Sequence, residues 1–273
     1  MYDPRLARWH LAPDGEPIVT RAARLLPVRR RGEPAMLRLA VDEEERSSPG
    51  AALMAWWGGD GAARVLARDG DALLLERATG PGSLADMART GRDDEACRIL
   101  CAVAARLHAP RARPLPGLVP LARWFRDLDQ AAAAAHGGIL ARCAATAGTL
   151  LAEPREVRPL HGDLHHDNVL DFGPARGWLA IDAKGLVGER GFDLANLFAN
   201  PDLADPSRPV ATEPGRFARR LEVVAEAAGL ERERLLRWIL AWAGLSAAWY
   251  LSDGDPAATD LRIAELAAAE LDR

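Results

Sequence analysis

At 273 residues, with 49% hydrophobic and 27% charged residues, the chain is long for one core and short for two independent domains, which excludes disorder as its default and favours two lobes sharing a ligand cleft. A net charge of −4 and a pI near 5.9 leave no pull toward nucleic acid or anionic membrane, and suit a cationic small molecule instead. The opening Met1-Tyr2-Asp3-Pro4-Arg5 is not followed by an apolar run and no later segment is long enough to span a bilayer, so a cytoplasmic protein is expected, with neither nucleic acid nor membrane as partner.

The first 80 residues consist of short apolar runs broken by Asp14-Gly15, Arg31-Gly32 and Asp69-Gly70, which predicts an antiparallel sheet. Leu25 to Val28 and Met36 to Ala40 flank a hairpin turn, and Ala72 to Glu76 adds a strand. Between them, Ser48-Pro49-Gly50 introduces a helix over Ala51 to Trp57. Helical periodicity then takes over at Asp93 to His108, Leu121 to Ala135 and Ile139 to Leu151, and again at Arg216 to Ala228, Glu231 to Tyr250 and Ala257 to Leu271. The reading is an α+β chain divided into a sheet lobe over 1–78, with one helix, and a mostly helical lobe over 79–273. Cys97, Cys101 and Cys143 cannot all pair with one another and are expected as buried free thiols.

The stretch from His161 to Leu170, followed by Ile181-Asp182, carries the chemistry. Phosphoryl transfer needs an aspartate to orient the attacking hydroxyl and take its proton, and a nearby Asn and Asp to hold magnesium on the phosphates of ATP. Asp163 and Asn168 have the catalytic-loop interval of five residues. The turn-rich Asp171 to Gly177 predicts a hairpin about residue 175, which brings Asn168 and Asp182 opposite each other as metal ligands. The literal Asp171-Phe172-Gly173 lies roughly 10 Å from Asn168 along an extended strand, so Asp171 is read as a turn residue. A transition-metal site built from His161, His165, His166 and Asp167 is the rival reading.

On the nucleotide side, Arg38 occupies the strand position at which a kinase lobe carries its phosphate-binding lysine, with Glu44 or Glu45 as its partner unless these form a solvated acidic turn. Backbone groups at Glu76 and Ala78 are candidates for the adenine edge, although an ordinary linker looks the same. Thr20 is the candidate for a phosphate-covering loop.

The chain resembles the aminoglycoside phosphotransferase superfamily, and within it the streptomycin 6-phosphotransferase and hydroxyurea-resistance kinase group. The resemblance rests on Leu160 to Gly173, Arg176 to Leu186 and Gly188 to Phe198, supported by Ala55 to Gly59, Leu74 to Ala78, Leu107 to Arg111 and Ala241 to Ser246. It implies a protein-kinase-like bilobal fold and ATP- and magnesium-dependent O-phosphorylation of an aminoglycoside, most simply streptomycin at a hydroxyl of its streptidine ring. Asp163, Asn168 and Asp182 keep the roles given above, and a monomer or weak dimer is expected. Arg38 and Ala183 depart from the Lys and Pro usual in the group. Asp163, His165, Lys184, Glu189 and Asp193 are the candidate substrate contacts, the last two because a guanidinium substrate needs carboxylates. Asp193 reads equally well as a helix cap or a brace for the catalytic loop, and Lys184, two residues after Asp182, as a group that meets phosphate or a carboxylate or as a solvated side chain. A kinase of another hydroxylated metabolite and a nucleotide-binding pseudokinase remain as alternatives.

Overall fold

The computed structural model describes residues 3–20, 23–41, 46 and 48–273. Glu44 and Glu45, the expected partners of Arg38, lie outside the described residues. A helix that the periodicity did not announce, α1 (Asp3–Trp9), precedes strands β1 (Leu11–Pro13), β2 (Ile18–Val19), β3 (Ala23–Arg30) and β4 (Glu33–Ala40). Arg30 pairs with Glu33, so Arg31 and Gly32 form a two-residue turn, both with positive φ. After α2 (Gly50–Trp57), β5 (Val65–Asp69) and β6 (Ala72–Glu76) complete an antiparallel sheet of order β1-β3-β4-β6-β5, with β2 paired to β3.

The two-residue period of a strand sorts side chains between the faces of this sheet. Ala35, Leu37 and Leu39 of β4 join Ala72 and Leu74 of β6 in a core that Leu6 and Trp9 of α1 cover. Met36 and Arg38, with Leu73 and Leu75, line a cavity on the opposite face. Helix α2 packs toward the larger lobe: Leu53, Met54 and Trp57 belong to its core. A Cβ on Gly50 would lie 1.7 Å from the Ala183 carbonyl, so only glycine lets the start of α2 rest on that backbone.

Residue 78, where the sequence reading divides the lobes, lies in an irregular segment between β6 and α3 (Leu84–Met87). Asp171 holds this segment: its carbonyl accepts from Gly80 N at 2.9 Å and its carboxylate from Gly82 N at 3.1 Å and Gly173 N at 2.8 Å. That is work at a turn and a linker.

The larger lobe contains α4 (Asp93–His108), β7 (Val119–Pro120), α5 (Arg126–Ala135), α6 (Gly138–Ala152), β8 (Val157–Leu160), β9 (Val169–Asp171), β10 (Trp178–Ala180), β11 (Leu186–Glu189) and α7 (Gly191–Ala195). It closes with α8 (Arg216–Ala228), α9 (Arg232–Ser252) and α10 (Ala258–Leu271). The helix expected from Leu121 is split, with a 3-10 turn at Leu121–Arg123 before α5. A three-stranded sheet of order β7-β11-β8 adds to what the sequence announces: its strands are only two to four residues long and no turn cluster joins them directly. Among the described residues no helix is long and apolar enough to cross a membrane. The three cysteines are free and buried, and burial pushes each thiol up to about 12.

Asp260, in the first turn of α10, is 1% exposed, and neither of its oxygens has a hydrogen-bond partner in normal geometry among the described residues. Burial pushes its carboxyl up to about 6 against the opposing effect of the Ser246 hydroxyl. A raised acid binds its proton more tightly in the folded than in the unfolded state, so folding tolerates it at low pH and is penalised as pH rises from about 4 through 6. Asp260→Asn is therefore expected to stabilise the protein by up to about 3 kcal/mol at neutral pH and by nothing near about pH 3. Melting temperatures of both proteins across that range check it. A neutral-pH melting temperature at or below the wild type would show that the charge carries no such cost.

Candidate active site

Strand β8 leads into the candidate catalytic loop, and the first turns of that loop are held from behind. The buried Asp193 carboxylate on α7 accepts from His161 N at 2.9 Å and Gly162 N at 2.8 Å, and lies 2.8 Å from His108 Nε2. With both oxygens turned into the protein, Asp193 braces the loop, which corrects its reading as a substrate contact. Glu189 is corrected likewise: its buried carboxylate accepts from Arg234, from Trp238 Nε1 at 2.7 Å and from Arg155 N at 2.8 Å. Acidic residue type drew attention to both, and type alone does not reveal whether a carboxylate's partner is protein or ligand.

The His161 ring is tied at each nitrogen. Nε2 lies 2.6 Å from the Ile181 carbonyl and Nδ1 accepts from Asp163 N at 3.2 Å, an arrangement that requires the neutral Nε2–H tautomer. Burial outweighs the neighbouring aspartates and holds its pKa below the usual value, consistent with that tautomer. Gly162, at φ +89, lets the loop reverse, and a Cβ there would lie 3.0 Å from Lys184 Cβ.

Asp163 then stands half-buried between two amides. Asn168 Nδ2 donates to its Oδ2 at 3.0 Å and to its carbonyl at 2.8 Å, and Asn196 Nδ2 donates to its Oδ1 at 2.9 Å. Asn200 Nδ2 donates to Asn196 Oδ1 at 2.9 Å, which fixes the orientation of the Asn196 amide. His165 Nε2 lies 3.6 Å from Asp163 Oδ1. Burial works against the charge on each partner of this pair, but their mutual attraction wins, so Asp163 is held well below the ordinary carboxylate range and His165 is raised. Asn196 and Asn200 escaped the sequence reading, since they lie some thirty residues from Asp163 with no spacing rule to connect them.

The β9–β10 hairpin forms as expected, one residue out of the anticipated register. Ile181 N donates to the Asn168 carbonyl at 2.9 Å, so Asn168 faces Ile181 and Asp182 lies one residue beyond. Asp182 adopts φ +57 there, and its two oxygens meet different cations: Arg38 at 3.3 Å and Lys184 Nζ at 3.0 Å. Those cations hold its pKa down against burial.

Two cavities lie on either side of the Asp163–Asn168 and Lys184–Asp182 contacts. The first, of about 440 Å³, lies between the lobes and is lined by Leu25, Leu75 and Phe172 with Asn168 and Asp182 at one end. The predicted Thr20, Arg38, Glu76 and Ala78 line it as well. The Glu76 N–H already donates to the Arg64 carbonyl at 3.0 Å, so a nucleobase cannot use it. The Thr20 hydroxyl closes a turn with Ala23 N at 3.0 Å. The second cavity, of about 390 Å³, is lined by Asp163, His165 and Lys184 together with Asn196, Asn200 and aromatic residues. Trp242, Ser246, Trp249 and Tyr250 reach it from one face of α9, at helical spacing, and Trp124 comes from the turn before α5.

Asn168 and Asp182 offer oxygen donors from only two side chains, which suits magnesium, an ion that keeps waters and phosphate oxygens for its other positions. The rival transition-metal site is not assembled: among the described residues no three His, Cys, Asp or Glu side chains converge for a metal.

A family model described as "Aminoglycoside/hydroxyurea antibiotic resistance kinase" matches residues 8–254. A streptomycin 3''-kinase from Klebsiella pneumoniae is 56% identical over 271 residues, covering 98% of this chain and 100% of that protein. A streptomycin 6-kinase from Streptomyces griseus is 35% identical over 269 residues, covering 94% and 84%. In fold, the chain is similar to the aminoglycoside phosphotransferase APH(3'')-Id from Streptomyces rimosus, solved with ADP and streptomycin, at a TM-score of 0.58 and 19% identity over 85% of this chain and 92% of that one.

Proposed function

The chain belongs to the aminoglycoside/hydroxyurea antibiotic resistance kinase family, and from that premise we propose that it transfers the γ-phosphate of ATP to a hydroxyl of streptomycin and so confers resistance. The observation that carries this reading is the position of Asp163, which lines one cavity while clamped by Asn196 and by Asn168, a residue that lines the other. The apolar interlobe cavity suits a nucleobase and the aromatic one a large polar substrate. The acceptor hydroxyl rests against Asp163, which orients it and receives its proton; the carboxylate is held ionised for this by the attraction of His165, which outweighs its burial. Magnesium bound by Asn168 and Asp182 supplies neutralisation of phosphate charge. Arg38 takes the lysine's place on β4, with Thr20 and the Glu76 carbonyl and Ala78 framing the nucleotide.

We favour the 3'' hydroxyl, on the hexosamine ring, over the streptidine hydroxyl expected from the sequence; support for it is the 56% identity to a 3''-kinase against 35% to a 6-kinase. The protein is proposed to act in the cytoplasm as a monomer or weak dimer. ADP release by the purified protein with ATP and magnesium, with and without streptomycin, tests the reaction, and phosphorus–proton correlation NMR of the product identifies the hydroxyl. Nucleotide binding without streptomycin-dependent release would move the reading to another acceptor or to a pseudokinase.

A further inference from the structure

Of the 35 basic residues in the chain, 34 are arginine; the single lysine is Lys184. It lines one cavity and reaches a carboxylate that lines the other. Its Nζ lies 3.0 Å from Asp182 Oδ2, and the residue lines the acceptor cavity beside Asp163. The other Asp182 oxygen lies 3.3 Å from Arg38, which lines the nucleotide cavity. One carboxylate is thus bracketed by a guanidinium on the donor side and an ammonium on the acceptor side.

The Lys184 backbone is pinned. Its N–H donates to the His161 carbonyl at 2.7 Å, its carbonyl accepts from Ser48 Oγ at 3.4 Å, and its Cβ packs on Gly162. Movement is left to the four-carbon stem. Arginine would supply the same charge next to Asp182, spread over a planar fork that demands acceptors in fixed directions. A compact ammonium with three rotatable donors can follow a group whose oxygens change position during reaction. A chain that carries arginine at its other basic positions and an ammonium here has a need at this position that arginine does not meet.

We propose, resting on the phosphotransferase reading above, that Lys184 is a catalytic residue whose Nζ turns from Asp182 toward the phosphoryl group as it crosses between the cavities. In that step a lone pair of the acceptor oxygen forms the new P–O bond. The bond from the γ-phosphorus to its bridging oxygen breaks, and its electron pair leaves with the nucleoside diphosphate. The hydroxyl proton passes to Asp163. Lys184 exchanges no atom and stabilises the negative charge on the transferring oxygens.

The test uses Lys184→Arg and Lys184→Met in the full chain, each first shown to melt like the wild type. Both are expected to lose about 100-fold in kcat at saturating magnesium. Both should bind magnesium–ADP within about threefold of the wild type, because the interaction is made in the transition state rather than the ground state. Aluminium fluoride, which mimics the phosphoryl group in flight, is expected to tighten wild-type ADP binding about tenfold or more and to lose that effect in both variants. The lone lysine also provides a direct probe: protein made with 13Cε-lysine has one such resonance, expected to shift when aluminium fluoride joins magnesium–ADP. Lys184→Arg retaining wild-type kcat would overturn the proposal, since any cation beside Asp182 would then serve. Recovery of either variant at high magnesium would also overturn it, by making Lys184 only a positioning residue for Asp182. A wild-type protein that releases no ADP with streptomycin counts against the proposed acceptor, whereas the lysine resonance still reports on Lys184.

Discussion

Asp163→Ala is expected to lower kcat by about three orders of magnitude while the protein stays folded. The carboxylate is half-buried at the edge of a cavity, where it accepts from the Asn168 and Asn196 amides and lies 3.6 Å from His165, so its removal opens no void in the core. The KM for ATP should change by no more than about twofold, because Asp163 lines the aromatic cavity and not the interlobe cavity proposed for the nucleotide. Melting temperature and steady-state kinetics measured on one preparation check both parts. Retention of more than about a tenth of the wild-type kcat would mean that Asp163 does not serve as the acceptor's base.

Asp93→Ala is expected to be the most destabilising of the substitutions considered. Asp93 and Arg220 are both fully buried, paired at 2.7 Å, and Arg220 also donates to the carbonyls of Leu197 at 3.0 Å and Asn200 at 2.7 Å. Removing the carboxylate strands a buried guanidinium, at a cost of about 3–5 kcal/mol and a melting temperature lower by roughly 10 °C. The same arginine holds the segment that carries Asn196 and Asn200, so activity should fall further than the unfolded fraction explains. The double variant Asp93→Leu, Arg220→Leu separates the two effects. It should regain much of the stability, since Arg216, which also reaches Asp93 at 3.4 Å, is partly exposed and no fully buried lone charge is left, but not the activity, since the Leu197 and Asn200 carbonyls lose their donor. Full recovery of kcat in the double variant would show that the pair has no part in placing Asn196.

Much of the site was legible because it is contiguous. Asp163, Asn168 and Asp182 lie within twenty residues on one loop and one hairpin, where backbone geometry converts spacing into position. The error of one residue in the hairpin register arose because the turn from Phe172 to Gly177 closes on a pairing that sequence spacing alone does not select. Helices α4 and α8 were read with the bounds they have, since each has a persistent apolar stripe and a clear end, Ala109-Pro110 for one and Gly229 for the other. The three-residue strands β9 and β10 are legible because the turn cluster Asp171 to Gly177 joins them, whereas β7, β8 and β11 are similarly short and pair across long stretches of chain with no such turn between them.

By itself, then, the sequence determined the α+β character of the chain and its likeness to a kinase family, and it singled out the loop around Asp163 as the candidate for chemistry, all of which depend on residues close together in the chain. Tertiary structure alone decided which polar groups face a ligand. It turned Glu189 toward Arg234 and Asp193 toward the loop backbone, brought Asn196 to Asp163, and set Arg38 and Lys184 on opposite oxygens of Asp182. It also drew Trp124 together with Trp242 and Trp249 into one cavity wall. The reason is physical: a carboxylate or amide is satisfied by whichever donor or acceptor folding brings within about 3 Å, and for residues far apart in the chain that partner is chosen by packing.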